Sequence, residues 1–403
     1  MQPPKSPSSR TTEAVVVYQT NARVSLFYKI CKIMFFGTGT NFMFGDLELP
    51  DNFVKVFNYI SKVCELLVIM LICSQWGAFF TQHDLDMISK SQLWMFGPTS
   101  LTLYGMYLNG LWRKQQITKL SFTIAVTLRG MFTDDEIEKN MIKKTWRYIY
   151  AFSCLMAGLF FSTGIFTGYV ACTTNETFTT MIPVWPTLDN HSLAASISRI
   201  AHYCIWFIFI IRFGSIYLII LAITIGVQYQ YRMMSSYFLG LNSIFEGDNS
   251  SQEEKERKYE DGVKHGVKMH CLTLWCIDQT QSTSGVTVSC QLITNIITLI
   301  MLMIQWMHME HTFGNCLNLI LFVGVTLTGT GIFMWNAGDV TFEAANLPTA
   351  MFHSGWYNCR GKRSVRIRKM VTIAMQQAQK RVVINGFGIL ELSYESYISM
   401  VKF

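Results

Sequence analysis

The sequence predicts an all-α, polytopic membrane protein with seven transmembrane helices, its N-terminus inside, its C-terminus outside, and long helical extensions on the cytoplasmic face. Three observations carry that expectation. Half of the 403 residues are hydrophobic, only 15% are charged, and the mean hydropathy is +0.27, which excludes an ordinary soluble enzyme. Apolar runs recur near residues 54–80, 93–111, 148–170, 197–228, 286–307 and 316–335, with a seventh at the C-terminus. A helix of about 20 residues is long enough to cross a hydrocarbon core of about 30 Å. With the runs marked as spans, 27 of the 33 Lys and Arg fall on one side, against Lys90 and Lys402 on the other and four within the spans. Basic residues are retained on the cytoplasmic face during insertion, so the N-terminus is inside.

The chain divides into a cytoplasmic N-terminal segment (1–53), the first six spans (54–335), a cytoplasmic region (336–381) and the start of span seven (382–403). No apolar core long enough for a signal peptide precedes residue 54, so the first span is expected to target the chain. Within 24–36, Leu26, Phe27, Ile30, Ile33 and Met34 recur at helical spacing beside Lys29 and Lys32, the pattern of an interfacial helix on the inner leaflet. The net charge of +7 raises nucleic acid as a partner, but the basic residues flank apolar spans, so anionic membrane lipid is the expected partner and nucleic acid is not.

Arg212 interrupts span four about midway. A charge at that depth is costly, so it faces protein or water and marks either a functional site or a hydrated structural position; Glu65 in span one is a candidate partner. Residues 250–268 interleave acids and bases at helical spacing, as in a solvated helix continuing from span four or leading into span five. Outer loops are short apart from 171–196, which holds the glycosylation sequons at Asn175 and Asn190. Cys172 and Cys316 lie at outer span ends, where they either pair or serve as small apolar residues.

Aromatic residues crowd the outer halves of spans two to four. Phe96 and Thr99, Thr163 and Phe166, and Tyr203 and Phe207 supply the mostly apolar wall with few hydroxyls that a small ligand requires, although each aromatic alone is as compatible with helix packing. Gly324, Gly329 and Gly331 permit close helix approach in span six. His308, Glu310 and His311 lack metal-ligand spacing, and no phosphate loop, carboxylate pair or nucleophile triad is present. Neither an enzyme nor a metal or other cofactor is therefore expected.

From about residue 336 the chain resembles the insect odorant receptors. The segment EAANLPTAMFHSGWY (343–357), the basic run 360–369, the helix-like stretch 371–379 and Asn385-Gly386-Phe387 follow that family's order, while upstream only hydropathy and length agree. The resemblance implies a ligand-binding subunit, rather than the co-receptor, that assembles with the odorant receptor co-receptor as a heterotetramer. It implies a nonselective cation channel in the dendritic plasma membrane of sensory neurons, opened by small volatile molecules. It places the pocket in the outer half among spans two, three, four and six, subunit contacts around Phe352, Trp356 and Tyr357, and the pore on span seven with Ser396 and Met400.

SYESYISMVK (393–402) is similar to the family's SLETFLSILK, which begins the pore helix and continues for roughly ten further residues. Ser393 followed by Glu395 reads as a helix cap and a first-turn acid. The favoured expectation is a pore helix beginning there and lacking its last turns; the alternative starts the span near Val382 and buries Glu391 and Glu395. Two rival readings are a gustatory receptor-type channel subunit and a G-protein-coupled chemoreceptor. The second requires an outside N-terminus and lacks its usual Asp-Arg-Tyr and Asn-Pro-x-x-Tyr motifs here.

Overall fold

Each of the first six apolar runs forms a helix longer than the run itself. The computed structural model describes residues 26–40, 50–82, 87–174, 184, 192–246, 250–386 and 390–402. The order is α1 (Leu26–Gly37), α2 (Asp51–Thr81), α3 (Met87–Trp112), α4 (Lys114–Phe122) with a π-helical turn (Thr123–Leu128), α5 (Asp135–Thr174), α6 (Leu193–Gly240), α7 (Gln252–His308) and α8 (Phe313–Phe352). After these come α9 (Ser364–Ala378), an antiparallel pair of two-residue strands, β1 (Asn385–Gly386) and β2 (Leu390–Glu391), and α10 (Tyr394–Lys402).

Among the described residues, five helices are long and apolar enough to cross a membrane, namely α2, α5, α6, α7 and α8. Their exposed side chains are apolar: Leu66, Met70, Ile165, Ile211, Ile300 and Ile320 all face outward. Water does not tolerate so continuous an apolar exterior, and a bilayer does. The second expected span forms α3, 26 residues long with Pro98 inside it and Ser91 and Ser100 buried; it is less apolar than the five.

Local chemistry sets the helix starts. Ser192, Ser251, Thr312 and Ser393 each accept a hydrogen bond from the backbone N–H three residues on, at 3.2–3.4 Å, capping α6, α7, α8 and α10. The cap expected at Ser393 is thus present, and residues 382–384 before the strands belong to no helix. Gly355 turns the chain after α8 with φ +93, and a Cβ there would lie 2.5 Å from the Asn242 side chain, so the turn admits glycine on both counts.

α6 is the mast of the bundle. In its most apolar stretch 83% of residues are buried, against 17% for α2, because α1, α2, α5, α7 and α8 all pack around it. Two expectations are corrected here. α1 exists, but it does not lie on the leaflet by its apolar face: Phe27, Tyr28, Ile30, Cys31 and Phe35 are buried in protein, with Phe27 against Gly226 of α6, while Leu26 and Ile33 face out. The charged stretch 250–268 does lead into span five, as the cap and first turns of the 57-residue α7, but it is not simply solvated: Glu256, Tyr259, Glu260 and Val263 are buried.

Both buried acids are matched. Glu256 accepts the backbone N–H of Arg360 and of Gly361, each at 2.6 Å. Glu260 is surrounded by Lys264 at 2.9 Å, Arg363 at 3.0 Å and Arg366 at 3.3 Å. The hydrogen-bonded ammonium of Lys264, helped by the guanidiniums, holds the Glu260 carboxyl below the usual carboxylate range. Further along α7, Gln281 grips β1 from both directions, donating to the Asn385 carbonyl at 2.6 Å and accepting from its N–H at 2.8 Å.

Candidate functional site

Five helices enclose an apolar cavity of about 150 Å³. Met95, Phe96, Thr99, Ser100 and Leu103 of α3 form one wall, Phe152, Met156 and Leu159 of α5 a second, and Trp206, Ile210, Phe213 and Tyr217 of α6 a third. Phe322, Val325, Thr326 and Gly329 of α8 close the fourth side. The fifth wall was not anticipated. Gln291, Thr294, Asn295 and Thr298 of α7 give the cavity most of its polar atoms. Their spacing of i, i+3, i+4 and i+7 is one helical face, so the signal was present as a polar stripe in an otherwise apolar span.

Of the six residues singled out from the sequence, Phe96 and Thr99 line this cavity. Phe96 meets Trp206 and Phe322 edge-on, with ring centroids 6.3 and 6.2 Å apart. The other four lie beside it. Tyr203 stacks on Phe160 at 4.7 Å and donates to the Phe160 carbonyl, and Phe160 stacks on Phe207 at 4.1 Å. Thr163 is buried one residue from Gly164, which the Tyr203 ring touches. Phe166 lies over Gly314, where an added Cβ would fall 1.9 Å from the ring. Tyr203, Phe160 and Phe207 make an aromatic layer joined to the cavity through Trp206, whose ring centroid is 6.4 Å from that of Tyr203.

Arg212 does pair with Glu65. The guanidinium donates to the Glu65 carboxylate, to the Ser61 carbonyl at 2.7 Å and to the Ser61 hydroxyl at 3.0 Å. Tyr104 donates to the other carboxylate oxygen at 2.7 Å. The Tyr107 hydroxyl lies 3.2 Å from the carboxylate and 3.0 Å from the Thr38 carbonyl. This network ties α2, α3 and α6 to the end of α1.

A second network reaches α10. Lys144 of α5 donates to Gln228 and to Asp339, each at 2.6 Å, and Tyr394 donates to the other oxygen of Asp339. Tyr397 donates to the Leu327 carbonyl at 3.3 Å and packs its ring on Gly331. α8 therefore contacts the cavity through Phe322 to Gly329 and α10 through Leu327 to Asp339. Ser396 and Met400 both lie on α10.

Phe352 and Tyr357 are about half exposed, with Trp356 between them donating to the Phe352 carbonyl at 2.9 Å. Cys172 and Cys316 are unpaired. Asn175 and Asn190 lie outside the described residues.

A bundle of membrane-length helices around a small apolar cavity is the architecture of a multi-pass membrane protein with room for a small ligand. The chain belongs to the 7tm odorant receptor family, whose model matches residues 95–403, a family of receptors rather than enzymes. No curated protein sequence matches it. The fold is similar to that of the insect olfactory receptor OR5 from Machilis hrabei, with a TM-score of 0.69 and 12% identity over 87% of each chain. It is also similar to OR5 in complex with eugenol, with a TM-score of 0.74 and 12% identity over 95% of this chain and 96% of that one.

Proposed function

We propose that this chain is the ligand-binding subunit of an odorant-gated, nonselective cation channel formed with the odorant receptor co-receptor, and that the cavity is its odorant site. The cavity carries the reading. It is mostly apolar, and at about 150 Å³ it is of a size that accepts a single aromatic ring. The eugenol bound by OR5 is a molecule of that class. Phe96 and Thr99 contact the ligand directly in this reading, and Thr163, Phe166, Tyr203 and Phe207 lie beside it.

In this reading the N-terminus is inside, seven spans cross the plasma membrane of the sensory dendrite, and α10 opens the pore-lining helix that carries Ser396 and Met400. The exposed Phe352 and Tyr357, with the partly buried Trp356 between them, meet neighbouring subunits. An occupant opens the pore only by binding the open arrangement better than the closed one. α8 supports this coupling, since it touches both the cavity and α10.

The test is current recording in cells expressing the chain with the co-receptor across single-ring volatiles. Odour-evoked cation current that survives block of G-protein signalling is expected, and Thr298→Leu, which intrudes on the cavity, lowers potency about tenfold or more. Absence of current across the panel, or a response indifferent to Thr298→Leu, overturns the proposal.

A further inference from the structure

We infer that Tyr217 sets the length limit of the ligand: its ring is a fixed partition between the cavity and a second, smaller void, and it confines the ligand to single-ring volatiles with short substituents. This rests on the reading of the cavity as the ligand site and adds the residue that decides which molecules fit it.

The void measures about 20 Å³ and is bordered mainly by Ile220 of α6, Val288 and Leu292 of α7, and Phe333 and Met334 of α8. It continues the cavity in one direction on all three helices. On α6 the cavity takes residues from 206 to 217 and the void those from 217 to 220; on α8 the cavity takes 322 to 329 and the void 329 to 334. On α7, which runs the opposite way, the cavity takes 291 to 298 and the void 287 to 292. The two spaces are therefore stacked end to end along the bundle. Tyr217, Gln291 and Gly329 border both. Gly329 has no side chain, and of the other two Tyr217 is the larger.

The ring is held from three directions. It stacks on Phe152 of the cavity wall, with centroids 5.1 Å apart and planes at 23°, and meets Phe333 of the void at 6.2 Å and 49°. Its hydroxyl donates to the Gly329 carbonyl of α8. Turning the ring aside would break the hydrogen bond and both ring contacts together, so it acts as a wall rather than a flap. A wall discriminates by exclusion. Each methylene that a ligand buries multiplies its affinity by about four, and a tail that reaches Tyr217 has no room in which to collect that gain. The void behind the ring shows that one side chain, and not the helix backbones, imposes the limit.

The experiment measures the thermal stability of the purified full chain in detergent against increasing toluene and butylbenzene, since a ligand bound only by the folded state raises the melting temperature. Each probe is supplied at a fixed vapour activity, so uptake by detergent does not alter its free concentration. In the wild-type chain butylbenzene, three methylenes longer, is expected to bind no more tightly than toluene. In Tyr217→Ala the ratio of butylbenzene to toluene affinity is expected to rise about tenfold or more. Tyr217→Phe keeps the ring and is expected to keep the limit. Ile210→Ala removes bulk from the cavity wall two helical turns from Tyr217, away from the void, and is expected to leave the ratio unchanged.

If toluene stabilises the wild-type chain but the ratio is the same in Tyr217→Ala, or rises as much in Ile210→Ala, the inference is overturned and the cavity reading stands. If neither probe stabilises the wild-type chain, the cavity reading falls and takes the inference with it. Should the Tyr217→Ala chain fail to fold, Tyr217→Leu, which removes the ring and keeps an aliphatic core residue, is read in its place. A wild-type chain that gains about fourfold per methylene from toluene to butylbenzene overturns the inference by itself.

Discussion

Arg212 and Glu65 show how one membrane-embedded pair distributes its cost unequally. The Arg212 side chain is 6% exposed and that of Glu65 28%, so the base is the more deeply enclosed of the two. Removing the acid strands a buried cation; removing the base leaves a carboxylate that still has two tyrosine hydroxyls beside it. Glu65→Leu is therefore expected to cost about 3–5 kcal/mol and Arg212→Met distinctly less, with the double variant cheaper than the sum. Denaturation midpoints of the four purified chains check this, and strictly additive losses would contradict a coupled pair. Arg212 was legible in the sequence because a charge among apolar residues has few outlets. Gln291 was not, since a polar residue in a span stands out only once its neighbours at helical spacing are counted with it.

At the scale of elements, the charged start of α7 was misjudged for a physical reason. Acids and bases interleaved at helical spacing look the same whether they meet water or a partner, and the partner of Glu260, Arg363, is far away in sequence. The junction it makes with the start of α9 should be acid-sensitive. Glu260 holds its proton less tightly folded than unfolded, so its stabilisation is complete above the ordinary carboxylate range and declines as pH falls through that range toward the lower folded value. Amide protection across α9 should drop as pH falls through and below the ordinary carboxylate range, and Glu260→Gln should show most of that loss already at neutral pH. Unchanged protection in Glu260→Gln would remove Glu260 from the junction. The helices themselves were legible from hydropathy, but their lengths were not, because apolar runs end at the membrane surface whereas α7 and α8 continue into polar surroundings.

For the whole molecule, the distribution of basic residues and the sequons at Asn175 and Asn190 lead to one expected orientation, with the N-terminus inside and the loop 171–196 outside. If the loop 171–196 is outside, Asn175→Gln and Asn190→Gln each shift the electrophoretic mobility of the expressed chain, enzymatic deglycosylation abolishes the difference, and Asn249→Gln, in the sequon Asn249-Ser250-Ser251 expected inside, shifts nothing. A glycan on Asn249 would reverse the topology. The cavity belongs to this scale, and for that reason it was only partly legible. It is a space between five helices, so Phe96 and Thr99 were reached from composition, whereas Phe152 and Phe213 enter it through packing angles that no linear pattern records.

The unbroken length of α7 has a mechanical consequence. The helix carries Gln291 at the cavity and Glu260 at the clasp with Arg363, about 46 Å apart along one rigid rod. A tilt of about 3° pivoting at Gln291 swings the Glu260 end by about 2.4 Å, comparable to the reach of a single ion pair. Motion too slight to reshape the cavity would thus arrive at the far end as a displacement large enough to exchange one electrostatic partner for another.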